Sequence, residues 1–280
     1  MLLDMAVPIV PPGFELPGDH PGFSDPAYRQ RRARIAEVGA GYQRGEVIPD
    51  VVYTAEEDEV WRVVSTELAS KHRRYACREY LRGADQLVLP TQRVPQLAEI
   101  DKRVHGLTGF HINPVPGLVP TRTFYGSLAE RTFLSTQYIR HHSVPFYTPE
   151  PDIIHETIGH ANMLASPVFA DLYQAAGRAS LRATTGPALD VFSRVFWFTL
   201  EFGVVHEDGV MKAYGAGLLS SYGEIETFRD AEIRPWDLQA MATQDYDITH
   251  YQPVLFAAPS FEQMLSDLYA FFSSYGDKAL

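Results

Sequence analysis

Residues 149–160 read Pro-Glu-Pro-Asp-Ile-Ile-His-Glu-Thr-Ile-Gly-His, which puts two histidines and a carboxylate into a helical turn and a half. No other stretch constrains the chain as much. Neutral imidazoles suit iron, zinc and copper, and a carboxylate from elsewhere would complete a face of three ligands with open positions opposite. His155 and His160 are five apart, about 140° around an ideal helix, unlike the i, i+4 histidines of the zinc proteases. Convergence therefore needs a distorted turn of the π-bulge kind, for which Gly159 offers backbone freedom. The plainer alternative, two histidines at a helix end with satisfied hydrogen bonds, stays open at this point.

The remaining ligand has to come from a distant part of the chain. Pro187 opens a strongly apolar helix with Phe192, Val195, Phe196, Trp197, Phe198 and Leu200, and Glu201 ends that run. A carboxylate after so many large apolar residues is costly to bury unless it is paired or metal-bound, so Glu201 is the candidate third ligand. A β-like stretch from Thr132 to Ile139 delivers Arg140 just ahead of the histidines. Guanidinium pairs bidentately with carboxylate, so Arg140 could hold the carboxylate of a small substrate.

Composition bounds the rest. A chain of 280 residues with 45% apolar content can bury one large core. A net charge of −11 without a basic run argues against nucleic acid or an anionic membrane as partner. Cys77 is the sole cysteine, so no internal disulfide forms, and a core thiol is expected. Met1 to Pro12 lacks the basic n-region of a signal peptide and no apolar run has membrane-spanning length, so a cytoplasmic protein is expected.

Residues 1–24 read as an extended lead-in and 25–280 as a single catalytic domain. Asp25 and Pro26 start a helix towards Gly45, Thr54 and Glu57 make a capping box for the next, and a third runs from about Pro95 to Gly109. Residues 110–126 read as irregular loop. Ser166-Pro167 starts another helix, Asp208-Gly209 signals a type I′ hairpin, and Ser221 and Glu224 stand at capping-box spacing. Pro235 is expected to open a short helix, Tyr251 to Ala258 reads as a strand, and Ser260 with Gln263 caps the last helix.

Thr-Gln-Tyr-Ile-Arg-His at 136–141, Tyr-Thr-Pro-Glu-Pro-Asp-Ile-Ile-His-Glu-Thr-Ile-Gly-His at 147–160, Phe-Trp-Phe-Thr-Leu-Glu-Phe-Gly at 196–203 and Lys-Ala-Tyr-Gly-Ala-Gly-Leu-Leu-Ser-Ser at 212–221 resemble the pterin-dependent aromatic amino acid hydroxylases. The resemblance runs from Asp25 to the end. It implies a mainly α (α+β) fold, a helical basket around a non-haem iron with a few short strands. His155, His160 and Glu201 would be the ligands of Fe(II), in agreement with the reading of the residues themselves. Arg140 matches the arginine that binds the amino acid carboxylate, with Tyr147 and Thr148 at the same end of the pocket. Pro151 and Trp197 match the residues that hold the substrate ring, and Ser220 a hydroxyl supporting a ligand histidine. Phe124 matches the aromatic that stacks on a tetrahydropterin, with Gly117 and Leu118 on its flank and Glu156 facing the pterin and the O2 co-substrate. Leu134 departs from the pattern, since animal members carry a histidine there.

Within the family, Trp197 resembles the phenylalanine and tyrosine hydroxylases, and Ile248 stands where phenylalanine hydroxylases are apolar. An apolar pocket offers a phenol no partner, so L-phenylalanine is the expected substrate. Conversion to L-tyrosine is the family default; m-tyrosine as product, or tyrosine or tryptophan as substrate, are the alternatives. An apolar wall of Phe196, Trp197 and Phe198 is expected to keep water out. The short amino-terminal segment and the lack of a heptad-bearing tail suggest an unregulated monomer. A zinc metallohydrolase and a non-catalytic relative are the rivals from other classes, and the intact ligand set argues against the second.

Overall fold

In the computed structural model, which describes residues 18, 20–146, 148–248 and 250–277, helices begin where an acceptor side chain meets the first free N–H groups. Asp25 accepts from Ala27 and Tyr28 ahead of the helix Pro26–Gly41. Thr54 and Glu57 form the reciprocal box that opens Ala55–Tyr75. Ser166, Thr185 and Ser260 cap Pro167–Ser180, Gly186–Phe196 and Phe261–Ser274. The helix Leu97–Thr108 closes at Gly109, whose φ of 75° lies in the left-handed region. Among the described residues, no helix is long and apolar enough to cross a membrane.

Strands are few and short. β1 (His111–Pro114) pairs in parallel with β2 (Thr132–Ser135). β3 (Val204–Glu207) and β4 (Val210–Ala213) form the expected hairpin, with φ of 50° and 75° at Asp208 and Gly209. With β5 (Glu232–Pro235) and β6 (Val254–Ala258) they make a four-stranded sheet ordered β4-β3-β6-β5, in which β6 runs parallel to both neighbours.

Several elements differ from the expectation, each for a local reason. Pro21–Ser24 is a short helical turn capped by His20, inside the stretch read as extended; residues 1–17 and Asp19 lie outside the described residues. The next helix stops at Gly41, short of Gly45, because Tyr42 is already extended. Residues 110–126 are not irregular loop: they hold β1 and most of the first turns of a helix, Thr121–Ala129, whose buried Thr121, Tyr125 and Leu128 recur at helical spacing. The strand expected to reach Ile139 ends at Ser135, because carboxylates take over the backbone donors. Thr136 N–H goes to Glu156 Oε1 at 3.2 Å and Arg140 N–H to Asp152 Oδ2 at 2.9 Å. A helix at Arg78–Leu87 was not anticipated; Cys77, fully buried, accepts at its start through sulfur. Pro235 ends the edge strand β5, where a missing N–H is tolerated, and the helix Leu238–Thr243 begins after its cap, Asp237. Ser221 ends the helix Ala216–Ser220 rather than capping the next one, Glu224–Thr227.

Among the described residues a large hydrophobic core, with Tyr125, Phe133, Phe169, Tyr173, Phe192 and Phe196 buried, is accompanied by a small cluster of Ile35, Val51 and Tyr138. Residues 155–161 are wound as a π-helix and lie against Ala216–Ser220. The approach is nearly backbone to backbone: a Cβ on Gly159 would stand 2.8 Å from Ala216 O. Glycine is needed there for the missing side chain, and not only for backbone freedom. Gly159→Ala is therefore expected to cost about 1–3 kcal/mol through overpacking, read as a lower urea midpoint with unchanged slope. An unchanged midpoint would mean that the two helices part freely.

Candidate metal and substrate site

Two π turns bring the ligand candidates together. In the first, the wider winding returns His155 and His160 to one face. The second, Trp197–Glu201, continues the helix Gly186–Phe196, with Phe202 N–H donating to Trp197 O at 2.8 Å. The ligand atoms of His155, His160 and Glu201 all lie within 4.8 Å of one another. His160 Nε2 is 3.0 Å from His155 Nε2 and 3.1 Å from Glu201 Oε1, and His155 Nε2 is 3.8 Å from Glu201 Oε2.

Hydrogen bonds on the far side of the rings decide which nitrogens are bare. Ser220 Oγ donates to Ala216 O at 2.8 Å and stands 2.8 Å from His155 Nδ1, so it accepts the Nδ1 proton and leaves Nε2 as a lone pair. The Tyr173 hydroxyl, 2.8 Å from His160 Nδ1, can act in the same sense with its own proton towards Met163 Sδ. Burial, with the neighbouring His160, pushes His155 down to about 4 and keeps it neutral. Burial would also lower His160 and raise Glu201, but each outweighs this for the other: His160 is raised and the Glu201 carboxyl lowered. A proton on His160 shared with Glu201, or a cation in its place, offsets the carboxylate charge. The donor set fits a divalent transition metal held on one face.

These residues border a cavity of about 200 Å³. Gly117, Leu118, Phe124, Arg140, Thr148, Pro151, Glu156, Trp197, Ser220 and Ile248, singled out from the sequence, border it too, as does Leu134. Tyr147 lies outside the described residues. Arg140 has an internal partner that sequence reasoning missed. Asp152, fully buried, takes Arg140 Nε and Nη2 at 2.9 and 2.8 Å, and the His155 N–H at 3.2 Å. Asp152 thus fixes the guanidinium and the start of the histidine turn at once; its position three residues before His155 was the available signal, as for a helix cap. Glu156 is buried with Oε1 held by the N–H and hydroxyl of Thr136, both at 3.2 Å, and burial pushes its carboxyl up to about 7.

The expected apolar wall is narrower than its sequence. Only Trp197 of the three aromatics borders the cavity; Phe196 packs against Tyr125 and Phe198 against Phe256, because successive helical residues face different ways. His141, the residue after Arg140, points away to Asp25 and Ser143. Sequence reasoning also missed Phe146, which borders the cavity and stacks on Tyr222 at 3.9 Å, and the buried Glu224.

A sequence profile of the biopterin-dependent aromatic amino acid hydroxylases matches residues 3–278. The chain is 45% identical over 263 residues to phenylalanine 3-hydroxylase of Streptomyces coeruleorubidus, covering 94% of each. It is 44% identical over 272 residues to tyrosine 3-monooxygenase of Schistosoma mansoni, covering 95% of this chain and 58% of that one. Among solved structures it resembles phenylalanine hydroxylase of Chromobacterium violaceum with bound oxidised Fe(III), with a TM-score of 0.74 and 29% identity over 86% of this chain and 94% of the other. With a family match along almost its whole length and the two histidines and glutamate gathered on one face of a cavity, the chain belongs to the biopterin-dependent aromatic amino acid hydroxylases.

Proposed function

We propose that this chain hydroxylates the aromatic ring of L-phenylalanine, using O2 and a tetrahydropterin at an Fe(II) centre held by His155, His160 and Glu201. The observation that carries the substrate is the apolar pair Trp197 and Ile248 on one cavity, where a phenol hydroxyl would find no partner from either residue. Iron, pterin and O2 together supply the oxidising chemistry when bound. The chain's own residues bind, orient and exclude. Arg140, pinned by Asp152, receives the substrate carboxylate with Thr148 beside it. Pro151, Trp197 and Ile248 enclose the ring. Phe124 offers its face to the pterin, with Gly117 and Leu118 alongside. Glu156 can hold a proton on Oε2 while Thr136 keeps Oε1, and Ser220 keeps His155 in its metal-binding tautomer.

The ring carbon attacked is the finer question. Carbon 4, giving L-tyrosine, is the default of the family resemblance. Similarity to a phenylalanine 3-hydroxylase over 94% of both chains supports carbon 3, giving m-tyrosine, and that is the reading adopted.

Metal analysis tests the centre. About one iron per chain is expected, falling below about a tenth in His155→Ala and Glu201→Ala. Ser220→Ala should weaken iron binding or activity about 10–100-fold. Undiminished iron in either ligand variant would remove that residue from the centre, and stoichiometric zinc with peptidase activity would favour a metallohydrolase. Products test the substrate: incubation with O2, a tetrahydropterin and equimolar phenylalanine, tyrosine and tryptophan should yield m-tyrosine. DOPA or 5-hydroxytryptophan as main product would overturn the substrate, and p-tyrosine the ring position alone.

A further inference from the structure

Behind the cavity, one buried side chain ties two of its walls together. Gln252 is 4% exposed and does not border the cavity itself. Its Oε1 accepts the Trp197 indole N–H at 2.8 Å. Its Nε2 donates to Asp247 O at 2.8 Å and His250 O at 3.0 Å, spanning the turn that carries Ile248. Its backbone N–H donates to Glu224 Oε1 at 2.7 Å, which anchors the glutamine in turn. An indole nitrogen can only donate and a carbonyl can only accept, so a single amide orientation satisfies all three side-chain bonds and the flipped one satisfies none.

The rest of the Trp197 environment is less directional. The indole stacks on Tyr246, at 4.3 Å with the rings 15° apart, and meets the tilted ring of Phe202 at 4.5 Å. Stacking fixes the plane of a ring but tolerates sliding and rotation within that plane. The hydrogen bond to Gln252 removes that freedom, and the two bonds from Nε2 set the Ile248 turn at a fixed place relative to the indole. A methionine would fill similar space without needing partners; what the amide adds is direction.

We propose that Gln252 is a positioning residue for ring hydroxylation: by locking Trp197 and the Ile248 turn to each other, it determines which ring carbon faces the oxidant and how tightly oxidation is coupled to product. This rests on the reading that an aromatic amino acid is hydroxylated in this cavity. A ring misplaced by about an ångström presents a different carbon and can lose about 100-fold in rate, so a small loosening of the wall has a chemical readout.

Gln252→Met tests it, since the shape is nearly kept, the three side-chain bonds go, and the backbone bond to Glu224 stays. The first readout needs neither iron nor pterin: the Trp197 indole N–H, protected from hydrogen exchange in the wild type, should exchange at least about tenfold faster. In the iron-loaded enzyme at wild-type iron content, the share of the minor ring isomer should rise at least about threefold, with a matching rise in tetrahydropterin oxidised per product formed. Trp197→Phe should shift the isomer share and the coupling ratio in the same way, and the double variant should move these two no further than the larger single change, as expected for residues acting as a unit. A folded, iron-replete Gln252→Met with unchanged isomer share and coupling, or strictly additive effects, would overturn the proposal. Should Gln252→Met fail to fold, Gln252→Asn decides on the same criteria, because an amide shorter by about 1.5 Å cannot reach both walls. If the wild type hydroxylates tyrosine or tryptophan instead, the substrate reading falls while coupling on that substrate still decides the role of Gln252. A wild type that hydroxylates no aromatic amino acid would overturn both.

Discussion

A buried carboxylate beside two imidazole rings is the constraint on which the rest of the structure depends. Glu201 is 5% and His160 1% exposed, at the floor of a cavity walled largely by apolar groups. In such surroundings an uncompensated charge costs several kcal/mol, and it is tolerated only when a partner charge sits within contact distance. The chain meets this condition by distorting two helices. Each proposed ligand lies in a π turn, a form that is rare overall and frequent at functional sites. The close packing at Gly159 and the bond that His155 Nδ1–H donates to Ser220 hold the first of these turns in place. Tyr173, reaching His160 from the helix Pro167–Ser180, ties the other histidine to the core.

The same economy of contacts joins the metal centre to the substrate end of the cavity. Asp152 bonds the Arg140 guanidinium and the His155 backbone together, so the group proposed to receive the amino acid carboxylate cannot move independently of a proposed metal ligand. Both groups are almost fully enclosed, and the pair is bidentate, the arrangement in which a buried ion pair holds geometry best. On the other side, Trp197 stands four residues before Glu201 in one π turn, so the proposed wall against the ring and the proposed third ligand share a backbone. Loss of registry in either turn would displace the substrate and the metal at once.

Much of this was legible in the sequence, for a physical reason. The i, i+5 spacing of His155 and His160 is incompatible with an α-helical pair, so it announced the π turn, and a glutamate at the end of Phe192 to Leu200 announced a buried charge in need of a partner. Helix starts were readable wherever a side-chain acceptor stood before an apolar stripe, as at Thr54 and Ser260. What could not be read depended on contacts between distant residues. β2 was overextended because its donors are taken by Glu156 and Asp152, residues fixed only by the fold. Helix Arg78–Leu87 hid behind a sulfur cap and a charged surface face. The aromatic wall shrank to Trp197, since a run of three aromatics on a helix cannot all point one way.

The central claim is that the two π turns deliver two imidazoles and one carboxylate to a single iron. Iron K-edge X-ray absorption on the ferrous protein addresses it most directly. Scattering from two imidazole rings is expected, with oxygen ligands completing the shell and no sulfur, and one imidazole contribution should be lost in any His160→Ala protein that retains iron. A sulfur shell, or imidazole scattering that is unaltered in that variant, would contradict it.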